Sequence, residues 1–158
     1  MNLEQLGYLG IFLAGAIPWF EAIGVVPAGI VIGLDPALTV VVAAAGNVIT
    51  IAVFAFAGAK IRTWLLARRE AKAKAPRKDR WEKAERGFQK YGLYGVAVLG
   101  PIIIGTQFAA AVSVAAGVKP GKVTALISAS MIIWAIGFAF LTAWLIEVGG
   151  IDTFLGQN

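Results

Sequence analysis

The stretch AIPWFEAIGVVPAG, residues 16–29, interrupts a long apolar run with two prolines and one acid. Pro18 and Pro27 each lack a backbone N–H, so both favour a break or a bend in a helix. Glu21 lies between them and is the single charged residue between Gln5 and Leu34. The run is therefore predicted to form two short helices joined at a bend, with the acid near that bend.

The composition of the chain indicates an integral membrane protein. Of its 158 residues, 59% are hydrophobic and 15% are charged, and the mean hydropathy is +0.79. A soluble domain carries about 25% charged residues. The chain has no cysteine and no histidine, which excludes disulfides, Ser-His-Asp triads and histidine metal ligands. We expect no metal and no cofactor. We also expect no catalytic residue and no enzymatic activity, because the single acid embedded in the apolar sequence has no second catalytic partner.

The charges are distributed very unevenly along the chain. Twelve of the 14 Lys and Arg residues lie in residues 60–90, together with four acids. Short loops rich in Lys and Arg stay on the cytoplasmic side of a membrane, so residues 60–90 are predicted to be a cytoplasmic connector that contacts anionic lipids. This interpretation is preferred to nucleic-acid binding. Within the connector, the sequence from Asp79 predicts a capping box and an amphipathic interfacial helix.

Four blocks of the chain are nearly free of charge, and a membrane-spanning helix needs about 20 apolar residues. These blocks are residues 5–34, 36–59, 91–118 and 123–146. The second and fourth fit single spans, whereas the first and third are longer and contain helix-breaking residues. Those predicted breaks are Pro18 and Pro27 in the first block and Gly100, Pro101 and Gly105 in the third.

The two interrupted blocks can either span the membrane fully or enter and leave it on one side as re-entrant hairpins. Full spans would place Lys119 and Lys122 outside the cell, whereas re-entrant hairpins place them inside with residues 60–90. The positive-inside rule favours the hairpins.

The second half of the chain resembles the first. LGYLGIFLAG, residues 6–15, resembles YGLYGVAVLG, residues 91–100, and GLDP at 33–36 matches GVKP at 117–120 with an offset of 84 residues. Each copy reads as a hairpin followed by one full span, so the two copies would have opposite orientations. Inverted repeats with broken helices are typical of secondary transporters. The predicted fold is one all-α membrane domain: repeat one at 1–59, the connector at 60–90, and repeat two at 91–158.

Four polar residues are predicted to form a proton and substrate site. A carboxyl at mid-membrane is costly, and desolvation favours its neutral form; Glu21 could therefore exchange a proton or accept a cationic group. The alternative is that it lies at the membrane interface or caps the second half-helix. Thr106 and Gln107 follow the second break as Glu21 follows the first, and Asn47 is the amide of the second block. For these three, ordinary interhelical hydrogen bonding is an equal alternative.

The motifs PWFEAIGVVPAG and GPIIIGTQ resemble the small multidrug export protein family of prokaryotic membrane proteins, which is similar to the DedA and SNARE-associated superfamily. The resemblance covers nearly the whole chain and implies two re-entrant hairpins, transport activity and a multi-pass protein of the prokaryotic plasma (inner) membrane. The superfamily includes lipid-phosphate translocases and scramblases. DedA members carry an arginine in the second half where this chain has none, which favours a cationic or neutral substrate.

Three functions follow as hypotheses. The first is a proton-coupled transporter that exports lipophilic or cationic small molecules. The alternative is a lipid or lipid-phosphate translocase or scramblase, and the third is a membrane scaffold that recruits a partner through residues 60–90. Two hairpins and two spans are few for a complete transport pathway, so a homodimer or a larger homo-oligomer is expected.

Overall fold

A computed structural model describes residues 3–70 and 92–149, and all secondary structure in these two ranges is helical. The helices of the described ranges are α1 (Leu3–Ala16), α2 (Glu21–Val31), α3 (Pro36–Glu70), α4 (Leu93–Ile103), α5 (Thr106–Ala115) and α6 (Pro120–Glu147). The predicted all-α class is confirmed for the described part of the chain. The amphipathic helix predicted from Asp79 lies outside the described residues.

Two of these helices, α3 and α6, are long and apolar enough to cross a membrane. The most apolar windows of residues 36–68 and 120–147 have mean hydropathies of 2.3 and 2.1. Helix α3 does not end at Ala59, where the uncharged block ends, but continues to Glu70. The continuation contains three Arg and two Leu, which favour helix, and no Gly or Pro interrupts it.

Each interrupted apolar block contains two shorter helices. Residues 17–20 separate α1 from α2, and residues 104–105 separate α4 from α5. Helices α2 and α4 have 11 residues each and α5 has 10. A helix of that length rises about 16 Å, which is half of a hydrocarbon core of about 30 Å.

The residues that form these breaks differ in part from those predicted. Pro18 lies between α1 and α2, and Gly105 lies between α4 and α5 with a φ of 87°, a conformation that suits glycine. Pro27 lies inside α2, and Gly100 and Pro101 lie inside α4. A proline inside a helix costs one hydrogen bond, and the buried faces of α2 and α4 keep both helices continuous.

The same turn ends α2 and α5. Gly33 and Gly117 have φ values of 89° and 87°, and each donates its N–H to the carbonyl three residues earlier. The next residues, Leu34 and Val118, donate to the carbonyls five residues earlier. These bonds form a Schellman motif, which satisfies the last carbonyls of a helix and requires a left-handed residue. The GLDP and GVKP segments therefore have the same local structure.

The chain forms two compact units. Unit 1 comprises residues 1–49 and 131–158, and unit 2 comprises residues 50–130. Helices α1 and α2 belong to unit 1 and helices α4 and α5 to unit 2. The first part of the long helix α3 belongs to unit 1 and the rest to unit 2. The first part of α6 belongs to unit 2 and the rest to unit 1.

Small residues bring helices close together in unit 1. A Cβ atom at Gly15 would lie 2.6 Å from the carbonyl oxygen of Ala43, and one at Gly46 would overlap the carbonyl oxygen of Phe12. Helices α1 and α3 therefore touch backbone to backbone, as small residues allow in membrane proteins. A Cβ at Gly29 would lie 2.6 Å from Cγ2 of Thr39, which brings α2 equally close to α3.

The helices of unit 2 also pack through small residues. A Cβ atom at Gly100 would lie 2.8 Å from Cβ of Ala109, so Gly100 allows α4 to pack closely against α5 and does not break the helix. The Phe54 ring of α3 meets the Phe108 ring of α5 edge to face, with centroids 6.2 Å apart. Edge-to-face pairs of this kind stabilise an apolar core.

The pattern of buried residues repeats with the same offset of 84 residues that relates GLDP to GVKP. The matched buried pairs are Ala22 and Thr106, Val25 and Ala109, Val26 and Ala110, Gly29 and Ser113, Ile30 and Val114, Thr39 and Val123, Ala43 and Ile127, Ala44 and Ser128, Asn47 and Met131, Ile51 and Ala135, and Ala55 and Ala139. Each copy therefore buries the same faces of a short helix and of the long helix after it.

Candidate functional site

Glu21 is the only charged side chain that is buried among those that the structure describes, with 5% of its surface exposed. It is the first residue of α2. An ionised carboxyl this far from water is unfavourable unless it is paired. Glu21 can therefore hold a proton or bind a cation, which are the two chemical roles predicted for it.

The backbone just before α2 is strained. Trp19 has a φ of 84° and Glu21 has a φ of 43°, and in the described ranges no other residue except glycine has a positive φ. Each such residue costs about 1–3 kcal/mol, and such strain concentrates at functional sites. The break thus fixes the direction in which the Glu21 side chain leaves the chain.

An open apolar groove of about 650 Å³ runs between α1 and α2 within unit 1. Its lining residues are Leu6, Gly7, Gly10, Ile11, Ala14, Trp19, Phe20, Gly24, Val25, Ala28 and Ile32. Val25 and Ala28 follow Glu21 by 4 and 7 residues, a spacing that places all three on one face of α2. The apolar face of the groove therefore leads along α2 towards Glu21.

Asn47 is completely buried in α3 and belongs to the same unit as Glu21. It follows Gly46, the residue at which α3 touches α1. The structure thus places an amide in the core of unit 1, next to the closest contact between two helices.

Thr106 and Gln107 form a hydrogen-bonded polar cluster inside unit 2. Oγ1 of Thr106 donates to Oε1 of Gln107 over 3.0 Å, and Nε2 of Gln107 donates to Oγ1 of Thr50 over 3.2 Å. Thr106 and Gln107 are buried at the start of α5, and Thr50 is half-buried on α3. The cluster ties the second helix break to the long helix.

Sequence reasoning missed Thr50 as a partner of this cluster. The sequence feature that could have indicated Thr50 is its position three residues after Asn47, in a part of α3 that otherwise has few polar residues. Reasoning also missed Ser113, which is fully buried on α5. The hydroxyls of Ser113 and Ser128 make no hydrogen bond within the described part of the chain.

The four predicted site residues thus fall into two pairs. Glu21 and Asn47 lie in unit 1, and Thr106 and Gln107 lie in unit 2, bonded to each other. That all four line one cavity stays a prediction.

Comparison with protein families matches residues 21–136 to the family described as "Putative small multi-drug export protein". The chain belongs to this family. The small multi-drug export match begins at Glu21, directly after the first helix break, and includes the second break and all four predicted site residues. No curated protein and no solved structure matches the chain. The predicted membership is confirmed, and the relationship to DedA proteins stays a prediction.

Proposed function

We propose that this protein is a small integral membrane transporter of the prokaryotic plasma membrane that exports lipophilic cations in exchange for protons. The observation that carries the proposal is the buried carboxyl of Glu21 at a helix break, on the same face of α2 as residues that line an apolar groove. The family description supports transport at this general level, and two long apolar helices are consistent with a membrane protein.

The exchange follows from the desolvation of Glu21. Without a bound cation the carboxyl holds a proton, because burial away from water disfavours its charged form. A bound cation stabilises the carboxylate, so the proton leaves as the cation arrives. The buried net charge is the same before and after. An organic cation with an apolar body suits this site, since the body can occupy the groove and exposed Trp19 and Phe20 offer ring faces to positive charge.

Contacts within each unit support re-entrant hairpins. In unit 2, Nε of Arg62 donates to the carbonyl oxygen of Ala115 over 3.2 Å, and Nζ of Lys122 lies 5.8 Å from the Tyr94 ring. The beginning of α4 and the end of α5 are therefore both near the beginning of α6. The chain therefore enters α4 and leaves α5 at the same end of unit 2.

Unit 1 has the corresponding contact. The backbone N–H of Asp35 donates to the hydroxyl of Tyr8 over 3.1 Å, which brings the first half of α1 to the turn after α2. We propose on this basis, and on the repeated burial pattern, that the two copies form an inverted repeat, the architecture that transporters use for alternating access.

We also propose that the protein acts as a homodimer or larger homo-oligomer. Large apolar side chains such as Val41, Phe56, Ile133 and Phe140 are exposed on α3 and α6. Lipid or a second copy must cover these faces in a membrane.

Proton-driven uptake of tetraphenylphosphonium into proteoliposomes tests the function. We expect Glu21→Gln to abolish uptake driven by a pH gradient, because an amide cannot release a proton. Glu4→Gln and Asp35→Asn are matched controls at exposed acids and should transport as the wild type does. Equal uptake by Glu21→Gln and wild type would refute the proposal. Accelerated flipping of a fluorescent lipid without cation uptake would instead support the lipid translocase.

A further inference from the structure

The charged side chains that the structure describes at one end of unit 2 are all basic. Residues 50–68 and 92–130 contain five Lys and Arg residues and no Asp or Glu. They are Lys60, Arg62, Arg68, Lys119 and Lys122. The intervening residues 69–91 contain nine further Lys and Arg residues and four acids, so their own charge is also positive.

Contacts within unit 2 bring these cations to one end. The hydrogen bond from Nε of Arg62 to the carbonyl oxygen of Ala115 joins the basic part of α3 to the end of α5. The turn that follows α5 carries Lys119, and Lys122 lies in the first turn of α6. Lys60, Lys119 and Lys122 are exposed, so an anion can reach their ammonium groups.

Aromatic rings accompany the cations at this end. Nζ of Lys122 lies 5.8 Å from the Tyr94 ring, and Cζ of Arg68 lies 4.1 Å above the Trp64 ring. Both rings are more than half exposed. Tyrosine and tryptophan concentrate at the level of the lipid headgroups, so the combination indicates that this end lies where lipid phosphates are.

The turn itself does not need lysines. At the equivalent turn in unit 1, 84 residues earlier, Asp35 and Leu38 occupy the positions of Lys119 and Lys122. There, Oδ1 of Asp35 accepts a hydrogen bond of 2.8 Å from the N–H of Leu38. The same Schellman turn is therefore built with an acid and an apolar residue, and the two lysines serve some purpose other than forming it.

We infer that the basic end of unit 2, formed by Lys60, Lys119 and Lys122 beside Tyr94, binds the phosphate of an anionic phospholipid. A phosphodiester supplies a negative charge to these exposed lysines, and the acyl chains of the lipid can lie against the exposed apolar side chains of α4. This site is independent of the proposed transport chemistry at Glu21.

A repeat-exchange variant, Lys119→Asp with Lys122→Leu, tests the site. It replaces the two lysines with the residues found at the same positions of the turn after α2. The full-length protein is reconstituted into vesicles of equal parts phosphatidylcholine and phosphatidylglycerol, and energy transfer from tryptophan to dansyl-labelled forms of each lipid is measured. We expect the wild type to prefer phosphatidylglycerol and the variant to bind it about 30-fold more weakly, since each lysine near an anionic surface contributes about fivefold. Asp35→Asn should leave the preference unchanged.

Three outcomes would overturn the inference. The first is equal transfer to both lipids in the wild type, and the second is an unchanged preference in the repeat-exchange variant when its thermal midpoint in phosphatidylcholine is that of the wild type. If that variant does not fold, Lys119→Gln with Lys122→Gln takes its place, with the same expected loss of preference. The third is displacement of dansyl-phosphatidylglycerol by inorganic phosphate at a comparable concentration, which would make this a site for a soluble anion.

Discussion

Arg62 of α3 donates a hydrogen bond of 3.2 Å from Nε to the backbone carbonyl of Ala115, the last residue of α5. The bond crosses 53 residues of sequence and satisfies a carbonyl at a helix end with a cation, where the helix dipole favours positive charge. It places the end of α5 beside the basic part of α3.

Accessibility labelling of single cysteines tests the side of the membrane on which each turn lies. The natural chain has no cysteine, so each introduced thiol is labelled alone. We expect Lys60→Cys and Lys119→Cys to react with a membrane-impermeant maleimide from the same side, because Arg62 and Ala115 are bonded. Asp35→Cys, at the other end of α3, should react from the opposite side. Labelling of Lys119→Cys from the same side as Asp35→Cys would instead show that the two interrupted blocks span the membrane fully.

The backbone contacts of α1 predict how its glycines tolerate a side chain. Gly15→Ala should lower the free energy of unfolding, because its Cβ would lie 2.6 Å from the Ala43 carbonyl oxygen. Overpacking of this kind costs about 1–3 kcal/mol. Gly10→Ala in the same helix meets nothing within 4 Å and should be neutral or stabilising, since alanine favours helix by about 1 kcal/mol. Unfolding in detergent, followed by circular dichroism, compares the two; equal stabilities would contradict the packing.

The two Schellman turns predict a matched pair of effects. Gly33→Ala and Gly117→Ala should each cost about 1 kcal/mol or more, because both positions have a φ near +88° where alanine is strained. A Cβ at Gly33 meets nothing within 4 Å, so the loss there is conformational. Thermal midpoints that fall for one variant and not for the other would argue against equivalent turns.

The cluster at the second break predicts a coupling between Gln107 and Thr50. Gln107→Leu and Thr50→Val should each reduce stability by about 1 kcal/mol, and the double variant should lose less than the sum, because both remove the same 3.2 Å hydrogen bond. Additive losses would show that the bond contributes nothing. Transport by Gln107→Leu, which keeps Glu21, tests whether the amide is needed for transport.

Much of this architecture follows from the sequence because composition and helix breaks are local properties. Uncharged blocks predict where the helices lie, and the GLDP and GVKP segments predict two equivalent turns. The exact positions of the helix breaks could not be predicted from the sequence. Pro27 and Pro101 lie inside helices, since a buried apolar face can offset one lost hydrogen bond, whereas the actual breaks lie at residues 17–20 and 104–105.

The polar sites could be predicted only in part. An acid in an apolar run is conspicuous, so Glu21 could be singled out from the sequence. The structure shows that it is buried. Thr50 did not, because the hydrogen bond to Gln107 joins residues 57 positions apart and no local pattern reveals such a pair. The groove between α1 and α2 likewise depends on how two helices pack.

Proton release on substrate binding tests the central claim most directly. Purified protein in weakly buffered detergent solution is titrated with tetraphenylphosphonium, and the pH change and the bound cation are measured together. If Glu21 exchanges its proton for the cation, the wild type releases about one proton per cation bound, and Glu21→Gln releases none. Release of the same number of protons by Glu21→Gln, or binding by the wild type without release, would contradict the account.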